Sequence, residues 1–235
     1  MTAFVAGATG YVGKAVVKEL CARDIATWAH VRPDSGGLER HRAHFEALGA
    51  RVDTTDWDEA SMTATMAELG PDVVFCCIGT TRSRKKAATD PDKETYEAVD
   101  YGLTALLVRA CVEAAATPPP RFVYLSAAGT GPKAPSAYMQ ARWKAENYIV
   151  HSELPYTIAR PSFITGKNRD ENRPGEYYSA KAADAGLALA SLVGFVGLRK
   201  RYRSTDDETL ASALVAWALL PEGENRILEG DDLRR

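Results

Sequence analysis

The chain has 235 residues, 46% of them hydrophobic, and its 29 basic and 31 acidic residues leave a formal charge of -2. That length supports one sizeable core, and the near-neutral balance excludes a global field that would draw the chain to nucleic acid or an anionic membrane. The four cysteines, Cys21, Cys76, Cys77 and Cys111, lie on apolar patterns without metal-ligand spacing, so they read as small core residues and no metal site is expected.

Residues 3–6 form a short apolar strand, and Val12, Ala15, Val16 and Leu20 then recur at helical spacing. No basic n-region or cleavage site precedes this strand, so no signal peptide is expected and a reducing, cytoplasmic setting follows. Residues 25–31 give the next strand, and Leu38, Phe45 and Leu48 mark a second helix closed by Gly49. Residues 51–54 are a strand and 58–69 a third helix, stopped by Gly70-Pro71. Residues 72–79 hold the unbroken apolar run Val-Val-Phe-Cys-Cys-Ile, the pattern of a parallel strand covered on both faces, and so mark the centre of a sheet. A long helix over about 92–116 ends at Pro118-Pro119-Pro120, and a strand resumes over 121–125. A helix over 136–153, a strand over 156–159, a helix over about 206–220 with Thr205 as its cap, and a last strand near 226–228 complete the series. Such alternation specifies an α/β fold, a doubly wound parallel sheet of Rossmann type. One domain over 1–235 is expected, with 162–205 as a small substrate-side cap, since only there does the alternation lapse. The apolar run 185–198 is too short for a membrane span; with the basic residues 199–203 it reads as a partly buried helix with a solvated end.

Gly7-Ala8-Thr9-Gly10-Tyr11-Val12-Gly13 stands between the first strand and first helix. In that context glycines let the backbone turn tightly against a pyrophosphate, and the helix start offers free N–H groups. A dinucleotide site follows, with all seven residues as candidate contacts. At the end of the second strand, where a carboxylate would hold the ribose diol of NAD, the segment is His30-Val31-Arg32-Pro33. Arg32 matches the 2'-phosphate of NADP by its planar fork, its alternative being a solvated surface arginine. NADP(H) is therefore expected over NAD(H). Asp56 after the third strand is a candidate adenine contact, and Gly79-Thr80 would pass under the cofactor.

Ser126 follows the fifth strand directly, at the sheet edge where ligands bind in this architecture. Tyr138 and Arg142 are one helical turn apart and share a face. Together they suggest carbonyl reduction: the serine hydrogen-bonds the substrate oxygen, the tyrosine delivers a proton, and the cation favours the phenolate. Taken without context, an aromatic core residue and a solvent-facing arginine explain the same pair.

With Gly7-Ala8-Thr9-Gly10-Tyr11-Val12-Gly13, Phe75-Cys76-Cys77-Ile78-Gly79-Thr80-Thr81-Arg82, Leu125-Ser126, Tyr138-Met139-Gln140-Ala141-Arg142, Arg160-Pro161 and Arg173-Pro174-Gly175-Glu176 in place, the sequence resembles the atypical short-chain dehydrogenase/reductases, and among them the Tat-interacting-protein oxidoreductase group. The resemblance implies an NADPH-binding Rossmann fold, with Ser126 and Tyr138 in the serine and tyrosine places of the superfamily's catalytic set and Arg160-Pro161 passing the nicotinamide side of the pocket. It departs from that pattern at Arg142, where the superfamily has lysine, and at Ala127, where many relatives carry a second serine. Lys144 is rotated about 200 degrees from Arg142 along the helix and faces away. The basic run 82–86 follows the fourth strand and reads as a solvated loop near the substrate entrance. The expected activity is an NADPH-dependent reduction of a small carbonyl or conjugated substrate. The alternatives are an NADP(H)-binding sensor or regulatory module with a protein partner, and a scaffold with a vestigial pocket.

Overall fold

Val73–Cys76 is buried at every position, and its side chains divide between two separate apolar cores. This strand is the fourth of seven in a wholly parallel sheet, so its central place follows from its unbroken hydrophobicity. The computed structural model describes residues 1–80, 95–162, 164–165 and 204–234. Within them the elements are β1 (Thr2–Ala6), α1 (Tyr11–Ala22), β2 (Ala26–His30), α2 (Leu38–Ala47), β3 (Arg51–Asp53), α3 (Glu59–Leu69), β4 (Val73–Cys76), a π-helical turn (Glu97–Leu103) running into α4 (Thr104–Glu113), β5 (Arg121–Leu125), α5 (Ala137–Val150), β6 (Tyr156–Arg160), β7 (Ile164–Thr165), β8 (Thr205–Asp206), α6 (Asp207–Leu219) and β9 (Arg226–Glu229).

The sheet order is β3-β2-β1-β4-β5-β6-β9, a doubly wound arrangement that reverses direction between β1 and β4. Alternation along β1 sends Ala3 and Val5 to one face, under α1, α2 and α6, and Phe4 and Ala6 to the other, under α3, α4 and α5. Cys76 and Cys77 split in the same way. The registers Ala6↔Cys76 and Cys76↔Tyr124 bring Gly7, Cys77 and Ser126 to one carboxyl edge. Ser126 N–H donates to Ala159 O at 2.7 Å, so the end of β6 joins them.

The predicted helices form, and their ends show why. Asp58 caps α3 through Ser61 N–H and Ser136 caps α5 through Met139 N–H, while Gly70 closes α3 with φ of +49°. Two expectations need correction. Thr205 is not the cap of α6; Asp206 accepts Thr209 N–H at 2.8 Å, and Thr205 instead pairs with Ile164 in a short second sheet. A carboxylate is the stronger acceptor of the two. The long fourth helix is not uniformly α-helical, because a wider π turn at its described start seats Asp100 inward. The segments 82–86, 166–203 and, within the latter, 185–198 lie outside the described residues, as does most of the expected cap.

Candidate functional site

Gly7 has φ of +76°, and a Cβ placed there would stand 2.6 Å from the carbonyl carbon and oxygen of Cys77. One on Gly13 would collide with Gly7 O and lie 2.9 Å from Ala8 Cα. These two glycines are thus demanded by the protein's own backbone. Gly10 differs: its φ is -71°, it is exposed, and an added Cβ would meet only Gly7 O at 3.1 Å. Gly10 is also the N-cap of α1 and, as glycine, supplies no side-chain cap, unlike Asp58, Ser136 and Asp206 at the starts of α3, α5 and α6. A tightly folded turn, an uncapped helix start and an exposed glycine between them fit a pyrophosphate. Of the other residues predicted there, Ala8 and Val12 point into the core, Thr9 is partly exposed, and Tyr11 donates its hydroxyl to Asp207 at 2.7 Å.

Beyond β2, His30 is 3% exposed, its ring nitrogen 2.9 Å from Thr55 O and its ring edge-on to Trp57 at 4.9 Å. Burial holds this imidazole below its ordinary pKa, so it fills the strand end as a neutral group. Arg32 is half-exposed just past it, with Asp34 Oδ1 3.5 Å from its Nε. Asp56 is exposed after β3.

The second half of the site is built around Arg142, which is only 4% exposed. Its Nη1 donates to Leu125 O and, at 3.3 Å, to the Tyr124 hydroxyl; its Nη2 donates to Ile78 O at 2.9 Å and pairs with Asp100 Oδ1 at 2.9 Å. Burial opposes its charge, yet Tyr124, Tyr138 and Asp100 hold its pKa above the usual arginine range. The rings of Tyr138 and Tyr124 lie 5.2 and 5.5 Å from the guanidinium carbon. Gly79 makes room for this seat, since a Cβ there would stand 2.6 Å from Arg142 Nη2. Thr80 gives its N–H and hydroxyl to Asp100 Oδ2 at 3.2 and 2.5 Å. Gly79, Thr80, Tyr138 and Arg142 therefore form one cluster. It touches the glycine turn through Cys77 and Ile78, whose backbone packs against Gly7.

Ser126 lies beside this cluster at 4% exposure, and its hydroxyl donates to Glu146 Oε1. Glu146 is 3% exposed and is held by Arg160, through Nε at 3.0 Å and Nη2 at 2.5 Å. Arg160 also reaches Glu229 at 3.2 Å; Glu146 above all raises its pKa. The Arg160 guanidinium is thus spent on carboxylates, while Pro161 accepts Ala128 N–H at 2.8 Å through its carbonyl. Lys144 is exposed and pairs with Glu97 at 2.7 Å, facing away from Arg142 as its position on the helix requires. The cysteines offer no nucleophile: burial pushes Cys76 up to about 11 and raises Cys77 and Cys111 further.

Asp100 and Glu146 were missed by the sequence reading. Asp100 is an acidic residue inside the apolar pattern of a buried helix, and Glu146 follows Arg142 by four residues, on its face; those were the available signals.

The profile of the NAD(P)H-binding family matches residues 7–186, from the glycine turn through α5 and β6. The chain belongs to the NAD(P)H-binding family. It is 25% identical over 180 residues to Protein FMP52, mitochondrial, of Candida albicans, covering 74% of this chain and 72% of that one. To Protein HTATIP2 of Rattus norvegicus it is 27% identical over 184 residues, covering 76% and 68%. Protein TIC 62, chloroplastic, of Arabidopsis thaliana is 28% identical over 177 residues, 67% of this chain but only 26% of that longer protein. Among solved structures, the oxidoreductase ylbE of Lactococcus lactis aligns with a TM-score of 0.63 at 18% identity, covering 97% and 89%. The terminal R domain of the myxalamid pathway aligns with a TM-score of 0.63 at 21% identity, covering 96% of this chain and 64% of that one. Within the NAD(P)H-binding family this is an atypical short-chain dehydrogenase/reductase of Rossmann type. No described helix is long and apolar enough to cross a membrane.

Proposed function

We propose that this family member binds NADP(H) in preference to NAD(H) and reduces a small carbonyl or conjugated substrate, with Tyr138 as proton donor. The observation that carries the reading is the seat of Tyr138, whose half-buried ring stands 5.2 Å from a constitutively charged guanidinium at the carboxyl edge of the sheet. When bound, the reduced nicotinamide supplies the hydride. Thr9, Gly10 and the N–H groups opening α1 bind the pyrophosphate, and the fork of Arg32 takes the 2'-phosphate. Asp56 would contact the adenine, the backbone of Gly79 and Thr80 would support the cofactor, and Arg160-Pro161 would contact its nicotinamide side. Arg142 acts on Tyr138 through a charge that Asp100 partly offsets, while its Nη1 donates to Leu125 O and the Tyr124 hydroxyl and its Nη2 to Ile78 O. Ser126 joins by turning its hydroxyl from Glu146 to the substrate oxygen, while Arg160 keeps Glu146 paired. We place these parts in one domain, the expected cap over 162–205 lying mostly outside the described residues, and assign the protein to the cytoplasm on its free cysteines.

A second reading, NADP(H) binding without turnover, is favoured by one observation: Asp100 stands 2.9 Å from Arg142 Nη2 and offsets its charge. The two readings are separated by following NADPH oxidation with a panel of aldehydes, ketones and quinones, in the natural protein and in Tyr138→Phe. The reductase reading expects a loss of about 100-fold or more in the variant. Unchanged turnover there would remove Tyr138 as donor, and binding without turnover across the panel would establish the second reading.

A further inference from the structure

We propose that Asp100 is a positioning residue that sets the charge felt by Tyr138: Asp100 and Arg142 act as one internally neutral unit where a lone cation would otherwise stand, so that Tyr138 releases its proton at a higher pH than it would beside an unpaired guanidinium. The inference rests on the proposed role of Tyr138, but its test reads the phenol itself and needs no substrate.

Asp100 is 0% exposed, and a carboxylate buried alone would be costly. Its partners account for its charge: Arg142 Nη2 at 2.9 Å, and Thr80 through N–H and hydroxyl. The π turn that carries it is held by Thr104, whose hydroxyl donates to Asp100 O at 2.9 Å. Such widened turns recur where a helix must aim a side chain at a functional site. The guanidinium is fixed by Ile78 O, two residues past β4, and by Leu125 O at the end of β5, and cannot follow the carboxylate away from Tyr138. The pair therefore presents Tyr138 with a fixed, short dipole.

Among the described residues, the other groups around it leave that dipole unopposed. Tyr124, from β5, lies against the guanidinium and is raised by burial; Cys76, from β4, is raised by burial to about 11. Both are neutral near pH 7. Tyr96, just before the π turn, meets the Tyr138 ring edge-on at 5.4 Å, and the Lys144–Glu97 pair lies on the exposed side of α5. Among the described residues, the charge on this seat thus comes from Arg142 and Asp100.

An opposite charge a few ångströms away lowers the pKa of an acid by about 1–3 units, and a like charge raises it. The full chain is titrated with alkali while tyrosinate absorbance is recorded, and the signal of Tyr138 is isolated by subtracting the same titration in a matched Tyr138→Phe background. Asp100→Asn keeps the size of the side chain and unmasks the guanidinium, so the Tyr138 midpoint is expected to fall by about one pH unit. Arg142→Gln leaves the carboxylate alone and should raise it. The double variant, neutral at both positions, should titrate between the two single variants. A folded Asp100→Asn protein with an unmoved or raised midpoint would overturn the proposal. If that variant does not fold, Arg142→Gln against the double variant isolates the same charge: a higher midpoint in Arg142→Gln supports the proposal, and equal midpoints refute it. A purely structural Asp100 would change melting temperature and leave these midpoints in place.

Discussion

The glycine turn and the charged seat behind Tyr138 share one edge of the sheet but are built from different physics. At the turn, Gly7 and Gly13 are fixed by backbone sterics within a few residues of chain and by the approach of Cys77. At the seat, Arg142 is fixed by groups from β4, β5 and the π turn, and Ser126 by a carboxylate 20 residues along the chain. The first kind of site is inherited with the fold. The second depends on a particular set of side chains, so it can change its chemistry while the first is unaltered.

That contrast is broken most severely at Gly13. Gly13→Val, driven into Gly7 O, is expected to leave no cooperative thermal transition near that of the natural protein, measured by circular dichroism. Next is Arg142→Met, which strands a fully buried Asp100 and should cost about 3–5 kcal/mol in denaturant unfolding; adding Asp100→Asn should restore much of the loss, and failure to do so would show that the carboxylate is not the liability. Smaller is Arg32→Ala, which should weaken NADPH by about tenfold, roughly 1.4 kcal/mol, while sparing NADH; equal losses for both would contradict the 2'-phosphate assignment. Smallest is a pH effect from His30. Its folded pKa lies below its ordinary value, so the unfolded chain binds more protons in that interval, and stability is full above about 6.5 and lost as pH falls below it. Melting temperatures from pH 8 to pH 5 should decline less in His30→Phe than in the natural protein.

The same contrast explains what could be read in advance. Val73–Cys76 identified itself as the central strand because burial on both faces leaves no polar position, and the turn at 7–13 because glycine spacing has few other uses between strand and helix. The α5 face carrying Tyr138 and Arg142 followed from helical periodicity. Their partners did not: Asp100 is 42 residues before Arg142, and the pairing of Arg160 with Glu229 requires strands far apart in sequence to be adjacent in the sheet, while Glu146 reaches it from α5. Periodicity places a side chain on a face, but a buried ion pair is decided by tertiary contacts. Thr205 illustrates this on a smaller scale, since its pairing with Ile164 handed the capping of α6 to Asp206.

Gly10 offers the sharpest test, because a methyl group there would press on the protein only at Gly7 O, 3.1 Å away, while standing on the surface proposed for the pyrophosphate. Titrating Gly10→Ala with NADPH by fluorescence, beside the natural protein and at a temperature where both are folded, is expected to show saturable binding in the natural protein and at least about tenfold weaker binding in the variant. Equal affinity in the two proteins, or no binding by the natural one, would contradict a pyrophosphate lying on the glycine turn.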